Sequence, residues 1–435
     1  MAAAPRPSTS GTPRRAVLAG AAAALGVVAA GCDADRGPAD GRAPVAPVVT
    51  GRPPRGSDTV DVVRDCGARG DGRTDDSEAF ARAYRHAESR VWDHVGRTVV
   101  TVPAGTYLVR RPGALLDADG SHLKANGLRF EGAGKRMTQI VFAPARPHDE
   151  DAAADTYLCR NNDAWANVSF ERIAFRSATP GVSFFSSYST GQAQDYRFSE
   201  CEWTGEWGYG LALDGSNTNS EMRWEACRVG GAYRRAFLYS GLSHRTTDVA
   251  AQDQFLNYWF TDMKVEYEWG DFLDFPYGGS ITCRGGSYIV TGRRPGGAGK
   301  DGPTSTFFRF PRGPHHDSVQ RFHAEDIRFE VRGPDTVVID CAWDSGTVHF
   351  NDCDDTAHAF RDFAAGTRPH RYRAGPRGPL VRYDSCQLSG HHEYRRQGGG
   401  PRTVRYDMCL FANHSQHDFC SAGGEAVRFV DCLGR

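Results

Sequence analysis

The chain has 435 residues, with 52 Lys and Arg against 53 Asp and Glu, and 40% of its residues are hydrophobic. A net charge of −1 gives no reason to expect nucleic acid or an anionic membrane surface as the main partner. The 50 glycines and 23 prolines disfavour a helical protein, and beyond the N-terminus no apolar run approaches the roughly 20 residues of a membrane span.

The N-terminal segment predicts an export signal. Arg14-Arg15, followed by an Ala-rich apolar stretch, resembles a twin-arginine signal. The stretch ends in Ala29-Ala30-Gly31-Cys32, which resembles a lipobox, so we expect residues 1–31 to be removed and Cys32 to be lipidated. Ordinary cleavage with release is the alternative. Residues 33–57 are rich in Pro, Gly and charge and predict a disordered tether, so the protein is expected on the outer face of the cell membrane or secreted.

The most specific motif of the chain lies at residues 65–80, which read DCGARGDGRTDDSEAF. This run resembles the opening of the pectate lyase superfamily, with Cys66 where the family has an aromatic residue. Residues 100–107, VTVPAGTY, match the first coil of the same family. The resemblance implies an all-β fold, a right-handed single-stranded parallel β-helix with an N-terminal capping helix.

The aspartates of this motif have a structural interpretation. Asp75 or Asp76 is expected to cap a helix, and five apolar residues then share one helical stripe suited to covering the open end of a β-helix: Ala79, Phe80, Ala83, Tyr84 and Ala87. The motif therefore predicts a fold and not an activity.

A recurring pattern supports a solenoid independently of the motif. The pattern is apolar-x-aromatic-x-x-Cys, and we call its last position the anchor. Cysteine fills it at 201, 227, 353, 386, 409 and 432, and looser copies place Ala133, Ile173, Met263, Gly286 and Ile327 there. The register predicts a single β-helix domain over residues 59–435, with longer loops near 134–165, 230–257, 290–306 and 367–378.

The anchor cysteines are expected to form an interior ladder of free thiols. Equivalent Cα atoms in stacked strands lie about 4.8 Å apart, but their parallel, inward Cβ vectors are poor disulfide geometry. Buried free cysteine packs as a small hydrophobe. Pairing stays open for the cysteines off the ladder, namely Cys66, Cys159, Cys283, Cys341 and Cys420.

The same register predicts the functional face. Ten residues past the anchors we expect an inward column that includes Leu211, Phe237, Leu273 and Val337. Two residues before these positions lies a second column, whose polar and aromatic side chains are not explained by packing in the core: Tyr209, Arg235, Asp271, Asp335, Arg361, Tyr394 and His417. The segment 269–275, WGDFLDF, resembles the catalytic strand of polygalacturonase-like enzymes at Asp271 and Asp274. The next rung has Ser305-Thr306-Phe307 where that family has Asp-Asp-Cys, so the family's mechanism does not transfer as a whole.

These residues predict paired-carboxylate chemistry on a polysaccharide. Asp271 and Asp335 are expected two rungs apart, about 9–10 Å at the backbone, which suits an inverting glycoside hydrolase; Asp274 is the third catalytic candidate. Arginines would clamp a uronate or sulfate, and aromatic rings would stack on sugars. The predicted substrate-binding residues are Glu206, Trp207, Tyr209, Arg234, Arg235, Glu268, Trp269, Arg309, Arg361 and Tyr394. Alternating acids and arginines on a solvated sheet would explain the same pattern without catalysis.

Two other functions stay open. A polysaccharide lyase could use Arg235 as base and hold Ca²⁺ through Glu206, Glu268, Asp271 and Asp274; a non-catalytic solenoid could only bind glycan. No cofactor is expected unless the protein is a lyase, for which Ca²⁺ is possible. His358, His391 and His414 share one register position, which fits stacked, solvated histidines better than zinc. We expect a monomer, with polysaccharide as its partner.

Overall fold

A computed structural model describes residues 58–90, 98–118, 127–161, 167–187, 194–213, 219–241, 257–276, 278–295, 305–312, 319–332, 336–355, 368–373, 378–394, 404–411 and 427–434. Residues 51–435 form one compact unit. In the part of the chain covered by these ranges, no helix is long and apolar enough to cross a membrane.

Two helices and a long succession of strands make up this unit. The helices are α1 (Ser77–Glu88) and α2 (Glu150–Ala154). The first half of the strands comprises β1 (Asp58–Asp61), β2 (Asp71–Asp75), β3 (Thr98–Val102), β4 (Gly105–Val109), β5 (Leu116–Ala118), β6 (Leu128–Gly132), β7 (Thr138–Phe142), β8 (Tyr157–Asn161), β9 (Val168–Glu171), β10 (Ala174–Ser177), β11 (Ser183–Ser187), β12 (Arg197–Ser199), β13 (Glu202–Leu213), β14 (Met222–Glu225), β15 (Arg228–Val229) and β16 (Ala232–Ser240).

The second half continues with β17 (Tyr258–Tyr267), β18 (Asp271–Asp274), β19 (Gly279–Val290), β20 (Ser305–Phe310), β21 (Gln320–Glu325), β22 (Arg328–Glu330), β23 (Thr336–Cys341), β24 (Thr347–Asn351), β25 (Asp354–Asp355), β26 (His370–Tyr372), β27 (Leu380–Asp384), β28 (Gln387–Leu388), β29 (His392–Tyr394), β30 (Val404–Asp407), β31 (Leu410–Phe411) and β32 (Val427–Val430). Several of them lie inside the predicted long loops, among them β8, β16 and β26, because the third strand of each rung does not repeat the anchor pattern.

All strand pairs are parallel and form three ladders, which we call sheets 1, 2 and 3. Sheet 1 runs β1-β3-β6-β9-β12-β14-β17-β19-β21-β24-β27-β30-β32. Sheet 2 runs β2-β4-β7-β10-β13-β15-β17-β19-β22-β25-β28-β31. Sheet 3 runs β5-β8-β11-β13-β16-β18-β20-β23-β26-β29. Each rung visits the sheets in the same order, so the predicted parallel β-helix is confirmed.

The anchors mark the corner between sheets 1 and 2. The residue before each of ten anchors has a left-handed backbone with φ of 50–68°: Arg172, Glu200, Ala226, Asp262, Gly285, Asp326, Asp352, Ser385, Met408 and Asp431. The N–H of such a residue donates to the next rung, as Arg172 N does to Ser199 O at 2.9 Å. This sharp corner repeats once per turn and produces the periodicity in the sequence.

The interior is a stack of apolar and aromatic side chains. Phe130, Phe170, Phe198 and Trp224 lie in one line with ring centroids 5.0–5.6 Å apart. The anchor cysteines at 201, 227, 353, 386, 409 and 432 are free thiols, as predicted. Cys201 Sγ donates to Phe170 O at 3.3 Å. Of the cysteines off the ladder, Cys66, Cys159, Cys283 and Cys341 are also free, and Cys420 lies outside the described residues.

Helix α1 packs against β1 and β3 with the predicted stripe buried. The ring of Phe80 meets Tyr107 edge to face, with centroids 5.6 Å apart. Asp75 Oδ1 accepts the N–H of Ser77 at the helix start, at 3.1 Å. Asp76 instead accepts the N–H groups of Arg69 and Gly70, so both aspartates have structural partners.

Candidate active site

A cleft of about 780 Å³ lies over the outer face of sheet 3. Six arginines and three aspartates dominate its lining, which consists of Tyr209, Arg234, Arg235, Tyr239, Asp271, Asp274, Arg294, Thr306, Arg309, Pro311, Arg312, Asp340, Ala342 and Arg373. The cleft therefore combines carboxyl groups, the usual catalytic groups of glycosidases, with an excess of cationic side chains.

Asp271 and Asp274 both face the cleft although they are three positions apart in the sequence. In a regular strand, residues three apart point to opposite faces. Here the two intervening side chains, Phe272 and Leu273, are both buried in the interior. The same irregularity recurs in β20, where Phe307 and Phe308 are both buried between Thr306 and Arg309. Two consecutive inward residues thus bring both aspartates to one surface.

A glycine allows β18 to begin this close to its neighbour. Gly270 has φ +115°, and a Cβ at this position would lie 2.2 Å from Tyr233 O. Its N–H donates to Ser305 Oγ at 3.1 Å. A side chain at residue 270 would therefore clash with the backbone of Tyr233, directly beside Asp271.

Arg309 lies between the two carboxyl groups. Its Nη1 donates to Asp271 Oδ2 at 2.9 Å, and its Nε is 3.9 Å from Asp274 Oδ2. Burial raises the pKa of Asp274 to about 7, and the charges of Asp271 and Asp340 act in the same direction against Arg309. Burial also raises the pKa of Asp271, opposed by Arg309. Asp274 Oδ1 is buried and has no hydrogen-bond partner among the residues that the structure describes.

A third carboxylate stands two rungs further along. Asp274 pairs in register with Arg309, and Arg309 with Asp340. Since adjacent strands lie about 4.8 Å apart, the backbones of Asp274 and Asp340 are about 9–10 Å apart. Arg373 holds Asp340, with Nη2 2.6 Å from Oδ1. The sequence analysis missed Asp340, whose signal is its place in the column of Asp274 and Arg309.

Besides Arg309, two more of the predicted arginines line the cleft and are paired with acids. Arg234 binds Glu206 and, at 2.9 Å, Glu150. Arg235 binds Asp151 at 2.6 Å. Glu150 and Asp151 both belong to helix α2, which is inserted beside the cleft.

The predicted aromatic platforms divide into three groups. Tyr209 lines the cleft next to Tyr239, with ring centroids 5.5 Å apart, and the sequence analysis missed Tyr239. Trp269 is 7% exposed, and its ring face holds the guanidinium of Arg294 at 5.2 Å. Trp207 and Tyr394 are buried, so their prediction as sugar-binding residues is wrong.

Trp207 packs edge to face on Phe184 in the interior. Tyr394 stacks on Tyr372 and hydrogen-bonds Tyr406. In register, Tyr394 aligns with Tyr372 and Cys341, which are both buried, and Trp207 aligns with the buried Tyr233. Glu268 is exposed and does not line the cleft.

The residues that form the inward column of sheet 3 also differ from those predicted by counting from the anchors. Leu238, not Phe237, aligns with Leu211 and Leu273, because β16 shifts register against β13 after Trp207. Val337 occupies the position of Asp271 two rungs on, where Asp335 was expected. Asp335, Arg361 and Cys32 lie outside the described residues, as do His358 and His414. Within the described ranges, no group of three or more His, Cys, Asp or Glu side chains is arranged to hold a metal ion.

The family match concerns the N-terminal rungs. Residues 60–206 match a family model described as rhamnogalacturonase A/epimerase, pectate lyase-like. The match supports the predicted resemblance, but Asp271, Asp274, Arg309 and Asp340 lie beyond it. No curated protein matches the chain.

Several solved structures are similar to the chain. The A-module of the Azotobacter vinelandii mannuronan C-5 epimerase AlgE6 is 12% identical, with a TM-score of 0.38 over 86% of this chain and 99% of that one. The catalytic domain of a GH87 alpha-1,3-glucanase in complex with nigerose is 8% identical, with a TM-score of 0.45 over 90% of this chain and 71% of that one. The catalytic unit of the GH87 alpha-1,3-glucanase of Streptomyces thermodiastaticus strain HF3-3 is 13% identical, with a TM-score of 0.40 over 88% and 69%.

Proposed function

We propose that the protein is a polysaccharide-cleaving enzyme, an inverting glycoside hydrolase whose reaction takes place in the cleft over sheet 3. The observation that carries the proposal is the pair Asp274 and Asp340, which flank one cleft in different electrostatic surroundings. The family match over residues 60–206, whose description names a rhamnogalacturonase, supports a polysaccharide substrate.

Asp274 is the general acid of this scheme. A carboxyl group whose pKa is about 7 is protonated over much of the neutral range and can donate a proton to the leaving glycosidic oxygen. The carboxyl group of Asp274 lines the cleft, so the glycosidic oxygen of a bound substrate can come within reach of its proton.

Asp340 is the general base. Its ion pair with Arg373 fixes the carboxylate at the cleft wall, where it can accept a proton from the attacking water. Carboxyl groups of inverting enzymes stand about 6.5–9.5 Å apart to make room for that water, and two rungs give a compatible backbone separation. Asp271, bound to Arg309, positions this guanidinium beside Asp274.

The substrate is expected to be anionic. Six arginines line the cleft against three aspartates, and one of these, Asp274, is only partly ionised near neutral pH because its pKa is about 7. Arginine binds carboxylate and sulfate groups through paired hydrogen bonds. The rings of Tyr209 and Tyr239 provide apolar surface for the sugar.

The scheme requires no metal ion. Calcium in the lyase alternative would need Asp271 and Asp274 as ligands, but Arg309 already places a positive charge against both. Of the other two expected ligands, Glu206 is paired with Arg234 and Glu268 lies off the cleft. These residues do not fit a Ca²⁺ site.

Product analysis tests the proposed reaction. The purified protein is incubated with uronate-rich, sulfated and neutral polysaccharides, with and without chelator, while reducing ends and ultraviolet absorbance are followed together. The hydrolase is expected to release reducing ends without absorbance, insensitive to chelator. Absorbance at the unsaturated uronate band would instead identify a lyase, and glycan binding without products would identify a non-catalytic solenoid.

We further propose that the protein acts outside the cell, anchored through lipidated Cys32. The proposal rests on the signal at residues 1–31 alone. Mass spectrometry of the membrane fraction is expected to find a diacylglycerol-modified Cys32 at the mature N-terminus. A mature N-terminus without a lipid on Cys32, or release of the unmodified chain into the medium, would contradict lipidation.

A further inference from the structure

Arg294 differs from the other arginines of the cleft in what holds it. It follows β19 and lies half-buried at the cleft wall. Its Cζ lies 5.2 Å from the ring centroid of Trp269, and its Nη2 donates to Arg234 O at 3.0 Å and to Tyr233 O at 3.5 Å. An aromatic face and two backbone carbonyls therefore fix the guanidinium from two sides.

The charge of Arg294 is not neutralised locally. Arg234, Arg235, Arg309 and Arg373 each form an ion pair with at least one carboxylate. Arg312, the sixth arginine of the cleft, has no ion pair among the described residues either, but it is exposed and no aromatic ring or carbonyl there holds it. Among the residues that the structure describes, Arg294 has no ion-pair partner, and its neutral partners leave its full positive charge in the cleft. A cation that is already immobilised loses little conformational entropy when an anion binds.

Arg294 also acts on one of the two neighbouring carboxyl groups. Its charge counteracts the effect of burial on the pKa of Asp271. The group is therefore within electrostatic reach of the reacting centre, and a substrate anion bound to it would lie on the sugar next to Asp271 and Asp274.

We propose that Arg294, positioned by Trp269 and the carbonyls of Tyr233 and Arg234, is the specificity-determining residue that recognises a carboxylate or sulfate on the bound sugar. This inference rests on the proposed function and assigns the recognition to one residue of the cleft. It also gives Trp269 a role different from sugar stacking, because its ring face is occupied by the guanidinium.

The chain contains a matched control. Arg223 lies over the ring of Trp259 with Cζ 4.6 Å from the centroid, a similar cation–π pair. It is on sheet 1, in β14, and does not line the cleft. Arg294→Gln and Arg223→Gln therefore remove the same kind of interaction, once inside and once outside the cleft.

The experiment measures a charge ratio, the affinity for an anionic oligosaccharide divided by that for its neutralised form. Calorimetry at low salt uses three probe pairs: oligogalacturonate and its methyl ester, oligomannuronate and its methyl ester, and a sulfated carrageenan oligosaccharide and its desulfated form. For at least one pair, the unmodified protein is expected to prefer the anion. Arg294→Gln should then lower the ratio about 10- to 100-fold, as for the loss of a charge-assisted bond, and Arg223→Gln should leave it unchanged.

A second variant, Trp269→Phe, keeps an aromatic residue and is expected to lower the ratio in the same direction by a smaller factor. An unchanged ratio in Arg294→Gln, or no preference for the anion in any pair, overturns the inference. Turnover of the same polysaccharides is measured separately. If the protein shows no turnover but its charge ratio still depends on Arg294, the result contradicts the proposed hydrolase and supports Arg294 as the anion-recognising residue.

Discussion

Asp271 and Asp274 lie on the same outer surface of one strand because Phe272 and Leu273 between them both point inward. This irregularity lets a single arginine, Arg309 on the next rung, contact both carboxyl groups. Burial and the charge of Asp271 raise the pKa of Asp274 against the opposing charge of Arg309, which suits Asp274 to the proposed role of general acid opposite Asp340.

Arg309 should control the alkaline limb of the pH–rate profile. The general acid must be protonated, so kcat is expected to fall as pH rises through the pKa of Asp274, about 7. Arg309 favours the ionised form of Asp274, and its removal in Arg309→Gln raises that pKa further. The alkaline limb of the variant should move to higher pH, with a lower maximum.

Arg160→Gln is the control for this profile. Arg160 forms an ion pair with Asp117 on the same sheet but does not line the cleft. Its profile should coincide with that of the unmodified protein. An alkaline limb that stays in place, or moves to lower pH, in Arg309→Gln would contradict the role of Asp274.

Asp340→Asn should abolish hydrolysis while binding persists. An inverting enzyme needs its base to activate water, and loss of a general base lowers rates by about 10²–10⁴-fold. The affinity for oligosaccharide, measured by calorimetry, should change little. Turnover within a few-fold of the unmodified protein would show that Asp340 is not the base.

His370 should make the protein sensitive to acid. Its ring is buried between Asp355, Tyr383, Phe350 and His392, and burial lowers its pKa although Asp355 acts in the opposite direction. The unfolded chain then binds more protons below about pH 6.5, so the free energy of unfolding falls with decreasing pH by up to about 1.4 kcal/mol per unit from this group.

Denaturant unfolding between pH 5 and 7 measures this effect. His370→Gln is expected to lower stability at pH 7 but to show a shallower decline below pH 6.5. His148→Gln, at a side chain that is 83% exposed, should follow the unmodified protein. Parallel declines in all three proteins would exclude His370 as the source.

The anchor thiols should be inert in the folded protein. Cys201 Sγ and Cys227 Sγ donate to carbonyls of the previous rung, at 3.3 and 3.4 Å, and burial raises the pKa of Cys201. Iodoacetamide followed by peptide mapping should find both unmodified until denaturant is added. A peptide containing a Cys201–Cys227 disulfide would contradict the free-thiol ladder.

The sequence predicted the rungs well because the corner before each anchor repeats in every turn. A left-handed residue followed by an inward cysteine leaves the same short pattern at Cys201, Cys227 and Cys353, whatever the loops between them. Asp271 and Asp274 could be predicted for another reason: the segment that contains them resembles a known catalytic strand.

Sheet 3 was less predictable because its strands follow loops of variable length and contain two consecutive inward residues. Counting from the anchor put Asp335 in the column of Asp271, whereas Val337 stands there. Asp340 could not be assigned to the cleft from the sequence, because its place there follows from its in-register pairing with Arg309. Likewise, the alternation of the strand could not distinguish the buried Trp207 from the cleft-facing Tyr209.

The most direct test of the central claim compares Asp274→Asn with Asp117→Asn. Asp117 is an acid on the same sheet, paired with Arg160 outside the cleft. On the best polysaccharide, Asp274→Asn is expected to lose about 10²–10⁴-fold in kcat, and Asp117→Asn to retain the rate. With a glycosyl fluoride of the same sugar, whose leaving group needs no proton, Asp274→Asn should recover most of the rate. Equal kcat values for the two variants on the polysaccharide would contradict the assignment of Asp274 as the general acid.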